Sequence, residues 1–150
     1  MRPWDDPQNT DPAFARVRVR YQALPALEGA LGPGVTEALA RSARQLQADA
    51  EVLEDLAAKQ AERVRDTEGG WRADLLASLP AAIRTRVLRQ AAIGAGCPPG
   101  ALTAGHIDAL DALITSWHGQ RWADLPGGVR GQRQRGRLLF TAGNPNEPAG

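Results

Sequence analysis

The longest regular pattern in the chain begins at Val35. Apolar residues follow at Leu39, Ala43, Leu46, Ala50, Leu53 and Ala57. These steps of three and four place them along one stripe of a helix. The spacing predicts a helix over residues 34–65 that buries this stripe and stops near Gly69-Gly70. Its other positions mix both charges, the mark of a solvated face. Upstream, Asp11-Pro12 reads as an N-cap followed by a first helical position. A helix over residues 12–23 would put Phe14, Val17 and Tyr21 on one face and Arg16 and Arg20 on another, with Arg18 off both. Leu24-Pro25-Ala26-Leu27 is expected to interrupt it, with a short helix to Ala30 and a break at Gly32-Pro33-Gly34.

Downstream, Ser78-Leu79-Pro80 opens a further helix with Ser78 as cap and Leu79, Ile83, Val87 and Ala91 as its stripe, Leu88 beside them. The glycines and prolines of residues 94–100 stop it. Thr103 caps the next helix, which turns Ile107, Leu110, Ile114 and Trp117 inward with Leu113 flanking, and Gly119 ends it. The pattern then becomes strand-like. Residues 122–125, a turn at Pro126-Gly127-Gly128, residues 129–133, a turn at Gln134-Arg135-Gly136 and residues 137–140 read as short antiparallel strands. Residues 141–150 carry Gly143, Pro145, Pro148 and Gly150 and are expected to be a disordered tail. The fold class is therefore mainly α, with one long amphipathic helix and a small C-terminal antiparallel β element. No internal repeat is present.

Composition sharpens this picture in two respects. Aromatic residues are 5% of the 150-residue chain, so a core must be built from Leu, Ala, Val and Ile. The net charge of +1 hides an asymmetry: residues 1–70 hold 9 basic and 12 acidic side chains, residues 71–140 hold 9 basic and 4 acidic. Almost every base is Arg, Lys59 being the single Lys. Codon preference explains Arg over Lys, but not the clustering. One cysteine, Cys97, excludes an intramolecular disulfide and a multi-cysteine zinc site and suits a reducing, cytoplasmic setting. No apolar run approaches the length of a membrane span, and no signal-peptide pattern opens the chain.

The usual catalytic signatures are missing: no phosphate loop, no dinucleotide fingerprint, no nucleophile elbow. His106 and His118 are twelve apart and have no ligand-spaced partner, so no metal site is expected. Asp108 and Asp111 share a helix face and read as its solvated side. No catalytic residue is assigned. Two features stand out. Arg84, Arg86 and Arg89 lie on one helix with no acid among them, and Arg121, Arg130, Arg133, Arg135 and Arg137 crowd the terminal strands, opposed only by Asp124. Arginine on a helix and hairpin suits a phosphate backbone, and Arg84, Arg86, Arg89, Arg130, Arg133, Arg135 and Arg137 are taken as candidate RNA-binding residues. The competing reading is a solvated surface.

The second feature is the run from Trp4 to Arg20. An acid at Asp6, Asn9 in an Asp-Pro-x-Asn context, Asp11, the aromatic Phe14, then Arg16 and Arg20 resemble the segment closing the catalytic domain of tRNA(Ile)-lysidine synthetases, closest to the short actinobacterial form. Leu24-Pro25-x-Leu27-Glu28, the long Ala/Leu helix, Leu79-Pro80, Ala82-x-Arg84-x-Arg86-Val87-Leu88, His106 and Leu125-Pro126-Gly127-Gly128 extend the resemblance over about residues 4–140. Val17 stands where many members have Asn, and Gln8 where many have Ser.

The resemblance implies a division into the end of an ATP-loop catalytic domain with a linker helix (residues 1–23), a helical tRNA-binding domain with a terminal hairpin (residues 24–140) and the tail. It implies that the ATP-holding loop lies in an N-terminal domain upstream of Trp4, so that this chain alone is inactive. The implied reaction attaches lysine to the wobble cytidine of an isoleucine tRNA with a CAU anticodon. ATP, with magnesium, and free lysine are substrates of the full enzyme, and no cofactor is held by this chain. Asn9, Asp11, Arg16 and Arg20 would border the active site, and the partners would be tRNA(Ile) and the ATP-loop domain, with no membrane. The alternative from the residues is a small helical protein-interaction module without an RNA role.

Overall fold

The computed structural model describes residues 14–120 and 122–142. Trp4, Asn9, Asp11, Arg121 and the expected tail from residue 143 onward lie outside the described residues. The chain divides into two compact units, one up to Asp49 and one from Ala50.

In the first unit, α1 (Ala15–Arg18) runs into a π-helical turn (Val19–Ala23) and then α2 (Leu24–Leu31). The interruption expected at Leu24-Pro25 is thus a widened turn inside a continuous helical path. Pro25 has no N–H and its ring would strike the carbonyl four residues back. Placed at the start of α2, after a turn that has already shifted to wider spacing, it breaks nothing. Val17 is buried, whereas Phe14 and Tyr21 stay exposed. Gly32 ends α2 at φ 93°, and Thr36 Oγ1 donates to Glu28 Oε1 at 2.8 Å across the turn.

The long helix α3 spans Val35–Val64, close to expectation. Its stripe behaves otherwise. Leu53, Ala57, Ala61 and Val64 join the core of the second unit, but Leu39 and Leu46 are 49% and 68% exposed. Thirty residues extend about 45 Å. The helices of the second unit that follow it, α5 (Ala81–Gly94) and α6 (Ala104–Thr115), have 14 and 12 residues, too short to cover it all.

The second unit packs these helices, with the short α4 (Ala73–Ser78), on a four-stranded antiparallel sheet ordered β1-β4-β3-β2. The strands are β1 (Trp71–Arg72), β2 (Ala123–Leu125), β3 (Val129–Gln134) and β4 (Arg137–Ala142). Thr141 and Ala142, assigned to the tail by sequence, pair in β4 with Arg130 and Val129. Both β1 and α4 were unforeseen. Ser78 accordingly closes α4, its Oγ donating to the Leu75 carbonyl at 2.7 Å, and Pro80 is the N-cap of α5. Thr103 does cap α6: its N–H donates to His106 Nδ1 at 3.1 Å, one arm of a capping box. Trp117, expected inside, lies beyond the end of α6 and is 50% exposed, while Leu113 takes the buried place. Cys97 is buried, and desolvation raises its thiol pKa, so it serves as a small apolar side chain.

The link from α3 to β1 is a turn built on Asp66. Its Oδ1 accepts the N–H groups of Glu68 and Gly70 at 2.8 and 2.9 Å. Gly70 is buried, and a Cβ there would meet Asp66 Oδ2 at 2.8 Å and Leu139 Cδ2 at 2.9 Å. The Gly70 N–H foremost, then the Glu68 N–H and the Arg137 charge, hold the Asp66 carboxyl below its ordinary value against the opposing effect of desolvation. A lowered folded pKa gives stability that is present above the unfolded value, about 3.9, and lost as pH falls through the folded value. Acid unfolding followed by circular dichroism should therefore show a component below about pH 4 that Asp66→Asn removes. An unchanged acid limb in that variant would contradict the assignment.

Candidate nucleic-acid interface

The structure sorts the arginines expected to face RNA by what already holds each guanidinium. Arg84 is buried. Its Nε and Nη2 donate to Asp111 Oδ1 and Oδ2 at 2.5 and 3.3 Å, and its Nη1 donates to the Leu79 carbonyl at 2.7 Å. This fork ties α5 to α6, so Arg84 is removed from the RNA-facing set and Asp111 from the solvated side of α6. Arg86 donates to the Ala82 carbonyl at 2.8 Å and lies 3.3 Å from Glu54 of α3. Arg89 donates to the carbonyls of Leu102 and Pro99 at 3.2 and 3.0 Å, pinning the loop between α5 and α6.

The strand arginines divide in the same way. Arg130 donates to Asp124 at 2.8 Å and lies 4.5 Å from the centre of the Trp122 ring, its side chain 12% exposed. Arg133 shares the sheet face of Gly131 and Val129. It donates to the Leu113 and Ile114 carbonyls at 3.0 and 3.1 Å, satisfying the C-terminal carbonyls of α6 and complementing the helix dipole there. It also lies 5.2 Å from the Trp117 ring. Arg137 Nε is 3.1 Å from Asp66 Oδ2 and its Nη1 bonds Glu68. The Glu68 hydrogen bond foremost, then the charge of Asp66, raises its pKa further. Arg135 alone of the expected set has no hydrogen bond, ion pair or ring contact among the described residues.

Arg135 and Gly136 form the two-residue turn between β3 and β4, at φ 49° and 79°. Positive φ at both positions defines a type I′ turn, which favours Asn-Gly or Gly-Gly. Around this turn lies a hollow of about 480 Å³ lined by Asp66, Arg72, Asp74, Arg133, Arg135 and Arg137. Arg72, at the start of the second unit's sheet, was missed in the sequence because Asp74 follows it closely. The pair is real, with Arg72 Nη2 donating to Asp74 Oδ2 at 2.8 Å. It is also solvated, with the two side chains 51% and 65% exposed. The arginine side chain lowers the Asp74 carboxyl pKa.

In the first unit Arg16 and Arg20 are exposed, and each leans on a neighbouring ring, Arg16 at 5.6 Å from Phe14 and Arg20 at 5.7 Å from Tyr21. The π turn begins between them, so they are not stacked as successive turns of one regular α-helix. Among the described residues no group of three or more His, Cys, Asp or Glu is placed to hold a metal ion, and no helix is long and apolar enough to cross a membrane.

The second unit closes its helices on a small sheet and carries an arginine-lined hollow. Residues 72–139 match the family model of the TilS substrate binding domain. The chain is 54% identical over 142 residues to the tRNA(Ile)-lysidine synthase of Thermobifida fusca, covering 95% of this chain and 44% of that protein. It is 54% identical over 141 residues to the enzyme of the same name from Streptomyces coelicolor (93% and 40%) and 40% identical over 133 residues to that of Mycobacterium leprae (89% and 40%). Residues 72–139 are thus similar to the TilS substrate binding domain, and the chain is similar to a part of the tRNA(Ile)-lysidine synthases. It spans less than half the length of these relatives. The match does not favour a helical interaction module without an RNA role.

Proposed function

We propose that this chain is the tRNA-positioning part of a tRNA(Ile)-lysidine synthetase. The observation that carries the proposal is the coincidence of two things in one stretch: residues 72–139 match the substrate-binding family, and the same stretch supplies the hollow's four arginines. In this reading the whole enzyme converts the wobble cytidine of CAU-anticodon tRNA(Ile) to lysidine in the cytoplasm, consuming ATP, with magnesium, and lysine at a separate ATP-loop domain. In the same reading this chain's share is to bind and orient the tRNA. Asn9, Asp11, Arg16 and Arg20 border the active site and face the ATP-loop domain. RNA contact falls to the arginines whose charge is least committed, Arg135 and Arg72, with Arg133 and Arg137 behind them. Arg84, Arg86, Arg89 and Arg130 hold the scaffold.

Fluorescence anisotropy with a labelled tRNA(Ile) transcript at rising salt tests this. Each phosphate met by an arginine releases counterions, so two or three contacts give a log–log slope on the order of −2. Binding that is absent at low salt, or indifferent to salt, would overturn the proposal.

A further inference from the structure

The geometry points to the hollow at the β3–β4 turn as a phosphate subsite for an unpaired RNA nucleotide, whose base stacks on the exposed ring of Trp117. The inference rests on the RNA-binding reading above and names where and how that binding occurs. Its first support is convergence. Four arginines, from β1, β3, the β3–β4 turn and β4, line one concavity. Arg133 is fixed by two helix carbonyls and Arg137 by Asp66 and Glu68, so a ligand would meet donors already held in place. Arg72 is paired only with Asp74, in solvent. Such a pair contributes little, and a phosphate can take over that guanidinium in a charge-assisted bond.

The second support is Arg135. A residue with a Cβ is disfavoured at positive φ, and Asn or Gly would be easier at this turn. The arginine makes no compensating bond among the described residues. An unpartnered charge on a strained turn, at the rim of an arginine-lined hollow, is a ligand contact in waiting.

The third support is Trp117. Its Nε1 donates to the Gln120 carbonyl at 3.2 Å, which fixes the ring, yet the residue remains 50% exposed. The ring lies against Arg133, which itself lines the hollow. The hollow and the ring therefore share Arg133. A stacking surface next to a phosphate site takes an unstacked base; paired bases in an A-form helix present no face to it. The carboxylates of Asp66 and Asp74 offset Arg137 and Arg72, so excess positive charge lies towards Arg133 and Arg135.

The full chain is titrated against a labelled tRNA(Ile) transcript and a blunt RNA duplex, with melting temperature recorded for every variant. Arg135→Asn should raise the melting temperature by a few degrees while weakening tRNA binding about fivefold and flattening the salt slope by about one unit. Trp117→Ala should weaken tRNA binding about tenfold with the slope unchanged, and Trp117→Phe should restore most of it. Duplex affinity should be indifferent to Trp117. A purely structural turn would shift melting without shifting affinity. If both variants bind tRNA like the parent while the parent shows steep salt dependence, the hollow is not the site and RNA binds elsewhere on the chain. Equal losses on duplex and tRNA from Trp117→Ala overturn the unpaired-nucleotide assignment. A parent without salt-dependent binding overturns both this inference and the reading beneath it.

Discussion

Replacing Arg84 by alanine is expected to destabilise the second unit by about 3 kcal/mol, on the order of 10 °C in melting temperature. The side chains of Arg84 and Asp111 are 11% and 22% exposed, so their attraction is only weakly screened. The alanine variant would leave the largely buried Asp111 carboxylate without its fork, and the Leu79 carbonyl without its donor. Asp111→Asn keeps an acceptor for Nε and should cost less. Replacing both residues by apolar ones of similar size, Arg84→Met with Asp111→Leu, should recover much of the loss, because removing a buried pair together leaves no orphaned charge. Thermal melts of the three variants distinguish this from an RNA-contact role. If Arg84→Ala melts like the parent but binds tRNA less well, the scaffold assignment is wrong.

That assignment shows where the sequence was legible and where it was not. The clustering of arginines after residue 71 is visible in one dimension, and so is the absence of nearby acids. Which acids neutralise them is not. Asp111 is 27 residues from Arg84 and Glu68 is 69 residues from Arg137, separations at which charge patterning along the chain says nothing. The strands β2, β3 and β4 were readable because Gly-Gly and Arg-Gly turns bound short apolar alternations. Strand β1 has two residues and α4 six, too few for either period to declare itself, and their conformation is imposed by β4 and by the helices above. The α3 stripe was read correctly as a helix. Its burial was not, since periodicity gives the direction of a face but not what covers it. Arg135 was recognised as a turn residue; its lack of a partner among the described residues exists only in three dimensions.

The core beneath the sheet gives a second large effect. Leu110 of α6 is fully buried, and an added Cβ at Gly131 of β3 would stand 2.3 Å from Leu110 Cδ2. The glycine is there so that the helix can approach the strand. Leu110→Ala should cost about 3 kcal/mol through lost contacts and a residual cavity. Gly131→Ala should cost about 1–3 kcal/mol by overpacking, partly offset by the lower chain entropy of an alanine in the unfolded state. The two changes act on the same space. In the double variant the new methyl enters room that the leucine has vacated, so the combined loss should fall short of the sum by about 1–2 kcal/mol. Urea denaturation of the two single variants and the double closes the cycle. Losses that add to within about 0.5 kcal/mol would mean that β3 moves away from α6 when Gly131 is replaced. The close seat of the sheet on α6, which places Arg133 on the end of that helix and against the Trp117 ring, would then be softer than the packing indicates.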